Sequence, residues 1–301
     1  MICIFNPEHD LCLANGNPHY VPPESARRFA LQNASLMKIL YPEAHACIPV
    51  SDISKYFCVN HSDTTCQIVP WGWNIVLKDR LLASGVEESL LPSNQSLDCL
   101  RRLQHRSTLL PIQPDSRAVT SVLDVKELLR QYRNLVLKAP WSGSGRGLRW
   151  VSDSMTDHDV YWFEKVVRTQ RCVLVQPRLC VLEEFALEYM VYPDGIELRG
   201  FSLFVSSNGV YQANLLLPDE TIRQRIRYNP AEQELLESWL ETHVVGQYQG
   251  PLGVDYIHTP DGQNHLSEIN FRHTMGMVAH QILHHDPRLR GTWWSLAQTV
   301  Q

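Results

Sequence analysis

No stretch of this 301-residue chain reaches the roughly 18 uncharged apolar residues that a membrane-spanning helix needs, so a helical span is excluded. Positive charge is not in surplus either. The 27 Lys and Arg residues face 32 Asp and Glu, a net charge of −5, with an isoelectric point near 6.2. A duplex nucleic acid partner needs cations to displace its counterions, so this balance argues against one. Paired cysteines are missing as well. The eight cysteines, at positions 3, 12, 47, 58, 66, 99, 172 and 180, form no C-x-x-C motif. A structural zinc site would want such pairs and a disulfide scaffold a far shorter chain, so the cysteines read as small core residues in a reducing, cytoplasmic setting. The first residues, MICIFNPEHDLCLANG, lack the basic start of a secretory leader, and none is expected. Neither G-K-[ST] nor H-E-x-x-H occurs.

What is present is an apolar fraction of 44%, enough for buried cores, in a chain long enough for two or three packed units. Residues 1–105 read as an α/β unit. MICIF, YFCV (56–59) and CQIVP (66–70) are short apolar runs that predict strands. The stretch 22–40 has apolar positions at helical spacing behind Pro22 and Pro23, and LKDRLLASGVEE predicts another helix, stopped at Gly85. Strand alternating with helix predicts a parallel sheet.

Near His105 a second unit opens. DVKELLRQYRN predicts a helix, LVLKAP and LRWV strands, VYWFEKVVRT a helix and RCVLVQP a buried strand. From Glu183 the pattern turns to long hairpins: EFALEYMVY, IELRGFSLFV and VYQANLLL around PDG and SSNG turns. AEQELLESWLETHVV is an amphipathic helix, GVDYIH and HLSEIN form a further hairpin, and a last helix starts near Thr274.

Two constellations carry chemistry. Lys138 ends a strand, and Ser142, Gly143, Ser144, Gly145, Arg146 and Gly147 follow. Alternating glycines let backbone N–H groups approach phosphate oxygens, with Lys138 as a nearby point charge. The second is the GVDYIH/HLSEIN hairpin. A two-residue turn at Asp261-Gly262 pairs 260 with 263 and brings Asp255 opposite Glu268. Two carboxylates facing across a ladder repel, so a cation is expected between them. Asn270 shares their face, and an Asp, Glu and Asn set without His or Cys is hard-oxygen ligation suited to Mg²⁺. Arg272 extends the same face toward an anion. Asn6, Glu8, His9 and Asp10, with Asn15 and Asn17, form a polar segment after the first strand, where α/β sheets bind ligands. His280 and His284 stand four apart on the last helix, where a surface helix accounts for them better than zinc does. Trp71, Trp73 and Trp141 read as packing or gate residues.

A glycine-rich phosphate turn with a lysine, followed by a metal-binding hairpin, resembles the ATP-grasp superfamily from about residue 106 to residue 277. The likeness resides in LVLKAPWSGSGRGLRWV, in VLVQPRL followed by EEFALEYMV, and in GVDYIH with SEINFRHTMG. It implies an α/β and α+β chain: an ATP-grasp fold behind a truncated α/β domain. Its expected parts are an N-terminal domain over 1–105, a small lid subdomain over 106–180 and a C-terminal subdomain over 181–301. The resemblance further implies that Lys138 and the 142–147 loop contact nucleotide phosphates, with Arg106 as an additional basic contact. Gln176, Pro177 and Leu179 would hold adenine, and Glu184 the ribose, with Glu183 and Glu188 as competitors. Asp255, Glu268 and Asn270 would hold Mg²⁺ (or Mn²⁺), Arg272 would face the transferred phosphate or a substrate anion, and Arg199 would contact an anion. The implied activity is ATP-dependent joining of a small carboxylate to an amine, in a chain that needs no nucleic acid or membrane and forms a homodimer by default for its size. A phosphotransferase and a non-catalytic nucleotide-binding protein are the alternatives.

Overall fold

A computed structural model describes residues 1–142 and 147–296. The chain begins with a three-stranded parallel sheet of order β2-β1-β3, formed by β1 (Ile2–Phe5), β2 (Ala46–Pro49) and β3 (Ile68–Pro70). All four residues of β1 are buried, as expected of a strand covered on both faces. Helix α1 (His9–Asn15) comes directly after β1, and α2 (Glu24–Asn33), α3 (Leu36–Leu40), α4 (Ile53–Val59) and α5 (Ile75–Ala83) share the core of this sheet. Helix α6 (Asn94–Leu103) instead sends Cys99, Leu100 and Leu103 into the core of the largest sheet. The YFCV run, predicted as a strand, is the end of α4. Ile53 and Phe57, four residues apart, are the buried positions of that helix, and a four-residue window cannot reveal that period. The helical stretch 22–40 breaks at Ala34 and Ser35 into α2 and α3.

A four-stranded antiparallel sheet follows, of order β4-β7-β5-β6: β4 (Arg117–Val119), β5 (Asn134–Lys138), β6 (Leu148–Ser152) and β7 (Val173–Pro177). Two helices, α7 (Val122–Tyr132) and α8 (Asp157–Gln170), close its core around Val125, Leu129, Leu137, Phe163 and Val173. A reciprocal Thr156–Asp159 capping box starts α8 and satisfies two otherwise orphaned N–H groups.

The largest sheet is antiparallel, of order β12-β11-β8-β9-β10-β13. Its strands are β8 (Glu183–Tyr192), β9 (Gly195–Ser207), β10 (Val210–Leu215), β11 (Gly250–His258), β12 (Asn264–Asn270) and β13 (Trp293–Trp294). Side chains alternate between its two faces. Phe185, Leu187, Tyr189, Phe201, Leu252 and Val254 turn one way and are buried with residues of α9 (Asp219–Arg225) and α10 (Pro230–His243). The intervening positions, Glu184, Glu188, Ser202, Asp255, Glu268 and Asn270, give the opposite face its polarity. Part of that face is covered by α11 (Met275–His285), whose start is capped by Thr274. Val278 and Ala279 of α11, and Trp294 of β13, join the hydrophobic core of the first sheet, so the end of the chain ties back to its beginning.

Two bulges shape the polar face. Glu188 pairs with Gly200 and Tyr189 with Leu198, leaving Arg199 as the extra residue of β9. Asp255 pairs with Glu268 and Tyr256 with Leu266, leaving Ser267 as the extra residue of β12. Bulges re-aim side chains, and both of these lie beside charged groups. The second also corrects the expected turn. The loop holds three residues, 260–262, closed by the Thr259 N–H to Gln263 carbonyl bond (3.0 Å) and ended by Gly262 at φ 86°. It shifts the tip by one register from the two-residue turn, and the bulge at Ser267 shifts it back, so Asp255 still faces Glu268.

Candidate active site

The polar face of the large sheet and the end of β5 meet around one cluster of charges. Lys138, the last residue of β5, is buried, with its Nζ 3.3 Å from Ser267 Oγ and 3.4 Å from the Ser267 carbonyl. Burial, then the neighbouring Arg106, pushes its ammonium down to about 8 against the pull of Glu268 and Asp255. Arg106 opens a 3₁₀ segment, Arg106–Ile112. Its Nε donates to Glu268 Oε2 (3.1 Å), joined by Nη2, and its Nη1 donates to the Ala139 carbonyl (2.7 Å) and Ser142 Oγ (2.6 Å). One guanidinium therefore links the carboxylate hairpin to the start of the glycine-rich turn. Gly147, at the other end of that turn, accepts a bond from the Ala139 N–H (2.8 Å). A Cβ there would sit 2.2 Å from that of Ser142. Gly143, Ser144 and Gly145 lie outside the described residues.

Asp255 and Glu268 are opposite each other, as the pairing argument expects. Burial, then Glu268 and Glu188, drives the Asp255 carboxyl well above the usual carboxylate range, and Arg272 and a bond from Asn270 only partly relieve it. A buried acid flanked by acids is the electrostatic demand that a divalent cation meets, and these hard oxygens fit Mg²⁺. Among the described residues no group of three His, Cys, Asp or Glu could hold a metal ion, so phosphate oxygens or water would have to complete the shell. Asn270 donates from Nδ2 to Asp255 Oδ2 (2.9 Å), while its Oδ1 accepts from Arg272 Nη2 (2.9 Å).

Arg272 is gripped from the first unit. Its Nε lies 3.2 Å from both oxygens of Asp10 in α1, and its Nη2 3.1 Å from Asp10 Oδ2. Burial would raise the Asp10 pKa, but Arg272, His9 and Arg106 together outweigh it and hold the carboxyl below its ordinary value. Asp10 is the member of the expected polar segment that enters the charge cluster. Asn6 instead brackets Gly72 with two bonds, its Nδ2 2.7 Å from the Gly72 carbonyl. Burial pushes His9 down to about 4 and Glu8 up to about 7. Asn15 and Asn17 make local turn bonds at the surface.

Toward the hinge, Gln176 and Pro177 end β7 and Leu179 follows, all three half-buried. The three competing glutamates separate. Glu183 pairs with Arg225, and Glu184 accepts from the Ser206 N–H and Oγ, both at 2.7 Å. Glu188, only 1% exposed, accepts from Ser202 Oγ (2.9 Å) and Thr274 Oγ1 (2.8 Å). Burial raises its carboxyl to about 7. Arg199 is half-exposed, bonded through Nη2 to the Tyr192 hydroxyl and 3.1 Å from Glu197. His280 faces Asp219 at 3.7 Å, and Trp141 lies under Arg101, 4.1 Å from its guanidinium carbon. Ser267 and the Asp10–Arg272 pair were missed as site features. A bulge leaves no composition signal, and a contact across 262 residues leaves no local one.

No family profile matches the chain, and no curated protein does. Solved structures do. The N5-carboxyaminoimidazole synthetase of Staphylococcus aureus, solved with ADP, superposes with a TM-score of 0.54 at 13% identity, over 94% of this chain and 76% of that one. Biotin carboxylase from Campylobacter jejuni, solved in complex with beta-gamma-ATP, gives 0.54 at 13% identity, over 94% and 67%. The biotin carboxylase domain of the Hydrogenobacter thermophilus 2-oxoglutarate carboxylase, solved with MgADP and bicarbonate, gives 0.52 at 12% identity, over 94% and 68%. The chain has the ATP-grasp fold, as its motifs imply. Among the described residues no helix is long and apolar enough to cross a membrane.

Proposed function

We propose that this chain is an ATP- and Mg²⁺-dependent ligase that activates a carboxylate as an acylphosphate and passes it to an amine or similar nucleophile. The observation that carries the reading is the convergence of Lys138, Arg106 and the Asp255–Glu268 pair where the two antiparallel sheets meet. Three of the neighbours are described in complex with ADP, beta-gamma-ATP or MgADP, which supports a nucleotide ligand for a chain of this fold.

Lys138 and Arg106 would hold the phosphates, closed over by the 142–147 loop. Gln176, Pro177 and Leu179 would border adenine and Glu184 the ribose. Mg²⁺, held by Asp255, Glu268 and the Asn270 amide, would supply positive charge at the transferring phosphoryl group. A substrate carboxylate oxygen attacks the γ-phosphorus in line, and the bond to the β-phosphate oxygen breaks with ADP leaving. Arg272, oriented by Asp10, faces the charge that develops there. The amine nitrogen then forms its bond to the acyl carbon, the acyl carbon–oxygen bond breaks, and phosphate departs with the surplus proton. Burial of the cluster keeps water from the acylphosphate.

The test is phosphate release from ATP in the presence of pooled small acids and amines, with and without Mg²⁺. Release that needs both an acid and an amine supports the ligase. A phosphorylated product without free phosphate makes the chain a phosphotransferase. Nucleotide binding without turnover on any pool makes it a binding protein.

A further inference from the structure

A cavity of about 300 Å³ opens on the polar face of the large sheet, beyond the carboxylate cluster. That volume is at the lower end of the roughly 300–1,000 Å³ range of ligand sites, and junctions between domains are a preferred place for them. The floor comes from Glu188 and Met190 on β8, Arg199 on β9 and Pro251 on β11, and the roof from α3 and α11. Glu188 pairs with Gly253, two residues from Asp255, so the near wall lies about 7 Å along the strand from the proposed metal ligands.

The chemistry of the lining is uneven. Leu40, Met190, Pro251 and Met277 give it apolar walls. His273 spends its Nε2 on the Tyr41 hydroxyl, 2.8 Å away, and its Nδ1 on the Trp71 carbonyl, 3.1 Å away, and burial keeps the imidazole uncharged at neutral pH. Glu188 turns its carboxylate onto Ser202 and Thr274. His280 faces Asp219. The permanent positive charge on the cavity wall is Arg199, the extra residue of the β9 bulge, shared through Nη2 with Glu197 at 3.1 Å. Its Nη2 is engaged, and its Nε and Nη1 have no bond to any described residue. Arg199 belongs to the wall that continues past Glu188, away from Asp255, so a carboxylate held there points away from the transferring phosphate while an amine on the same carbon points back toward it. The carboxylate acts as an anchor rather than as the group that is activated.

We infer that this cavity takes the amine partner of the reaction, and that this partner is an apolar amino acid. Its carboxylate lies on Arg199, its side chain against Leu40, Met190 and Met277, and its amine toward Asp255. The inference rests on the ligase reading for the role of the amine, and on the cavity alone for the carboxylate and the apolar body.

The experiment is calorimetric titration of the full chain, with Mg²⁺ and a non-hydrolysable ATP analogue, using L-leucine, L-methionine, glycine and 3-methylbutylamine. Leucine and methionine are expected to bind at least tenfold more tightly than glycine, which lacks the side chain, and 3-methylbutylamine, which lacks the carboxylate. Arg199→Met should abolish the preference for leucine over 3-methylbutylamine. Met277→Trp, which fills the cavity, should remove leucine binding, with analogue affinity within twofold of the parent in both variants. The inference is overturned if a parent that binds the analogue takes up neither leucine nor methionine. Equal binding of leucine and the plain amine, or parental leucine affinity in the Arg199 variant, overturns it as well. Leucine binding by a protein that binds no nucleotide would sink the ligase reading and uphold the cavity's preference.

Discussion

Replacing Asp255 by Asn should make the metal-free protein more stable and shrink the further stabilisation that Mg-ATP brings. The two side chains are nearly the same size, so packing is preserved and only charge changes. Directly opposed residues on a ladder stand about 5 Å apart, and two unit charges at that distance repel by about 3 kcal/mol at an effective dielectric of 20. Asp255 and Glu268 occupy that arrangement, with Glu188 adding to the repulsion and Arg106, which holds Glu268, offsetting part of it. The bond from Asn270 loses its charge assistance in the variant, at a cost of about 1 kcal/mol. A net gain of about 1–2 kcal/mol remains, or about 2–3 °C in melting temperature for a chain of this size. With Mg-ATP at a hundred times its Kd the parent gains about 2.7 kcal/mol, and a variant that binds tenfold more weakly gains about 1.4 kcal/mol less. Differential scanning calorimetry in EDTA and then in Mg-ATP reads both the raised baseline and the smaller shift. A variant that melts at or below the parent in EDTA, or that keeps the full Mg-ATP shift, would refute the reasoning.

Lys138→Met should cost at least tenfold in ATP affinity while adenosine, which has no phosphates, binds as before; equilibrium dialysis with both ligands checks this. Gly276→Ala would put a Cβ 1.9 Å from Glu188 Oε1 and 2.2 Å from Ser202 Oγ, so that variant should melt several degrees lower or fail to accumulate as folded protein. His9 and His273 are buried with folded pKa values lowered to about 4. Their neutral forms contribute stability that is fully present above the unfolded value near 6.5 and is lost as pH falls through 4, up to about 3 kcal/mol for each. Urea titrations between pH 7 and 4 should show that decline, and His273→Gln should make it shallower; identical slopes would contradict the assignment.

Elements with a strong local period were legible. The β11–β12 hairpin, its facing acids and the helix start at Thr274 follow from alternation and turn chemistry. YFCV misled because a short apolar run fits a buried helix turn as well as a strand. The correct Asp255–Glu268 register emerged from a turn one residue too short and a bulge that restores the phase, neither of which composition encodes. The partners of the site are less legible still. Arg272 depends on Asp10, and α11 packs its apolar side into the core of the first sheet, through contacts made only once the chain is assembled. Glu188 illustrates the same limit: one of three candidates by sequence, it is set apart by the burial that Gly276, Ser202 and Thr274 impose.

The central claim is that the cluster of Lys138, Arg106, Asp255 and Glu268 is a magnesium–nucleotide site. Calorimetric titration with ATP, with and without Mg²⁺ and with GTP as control, tests it most directly. The account predicts ATP binding that strengthens at least tenfold with Mg²⁺ and exceeds GTP binding. Absence of nucleotide binding, or ATP binding indifferent to Mg²⁺, would contradict it.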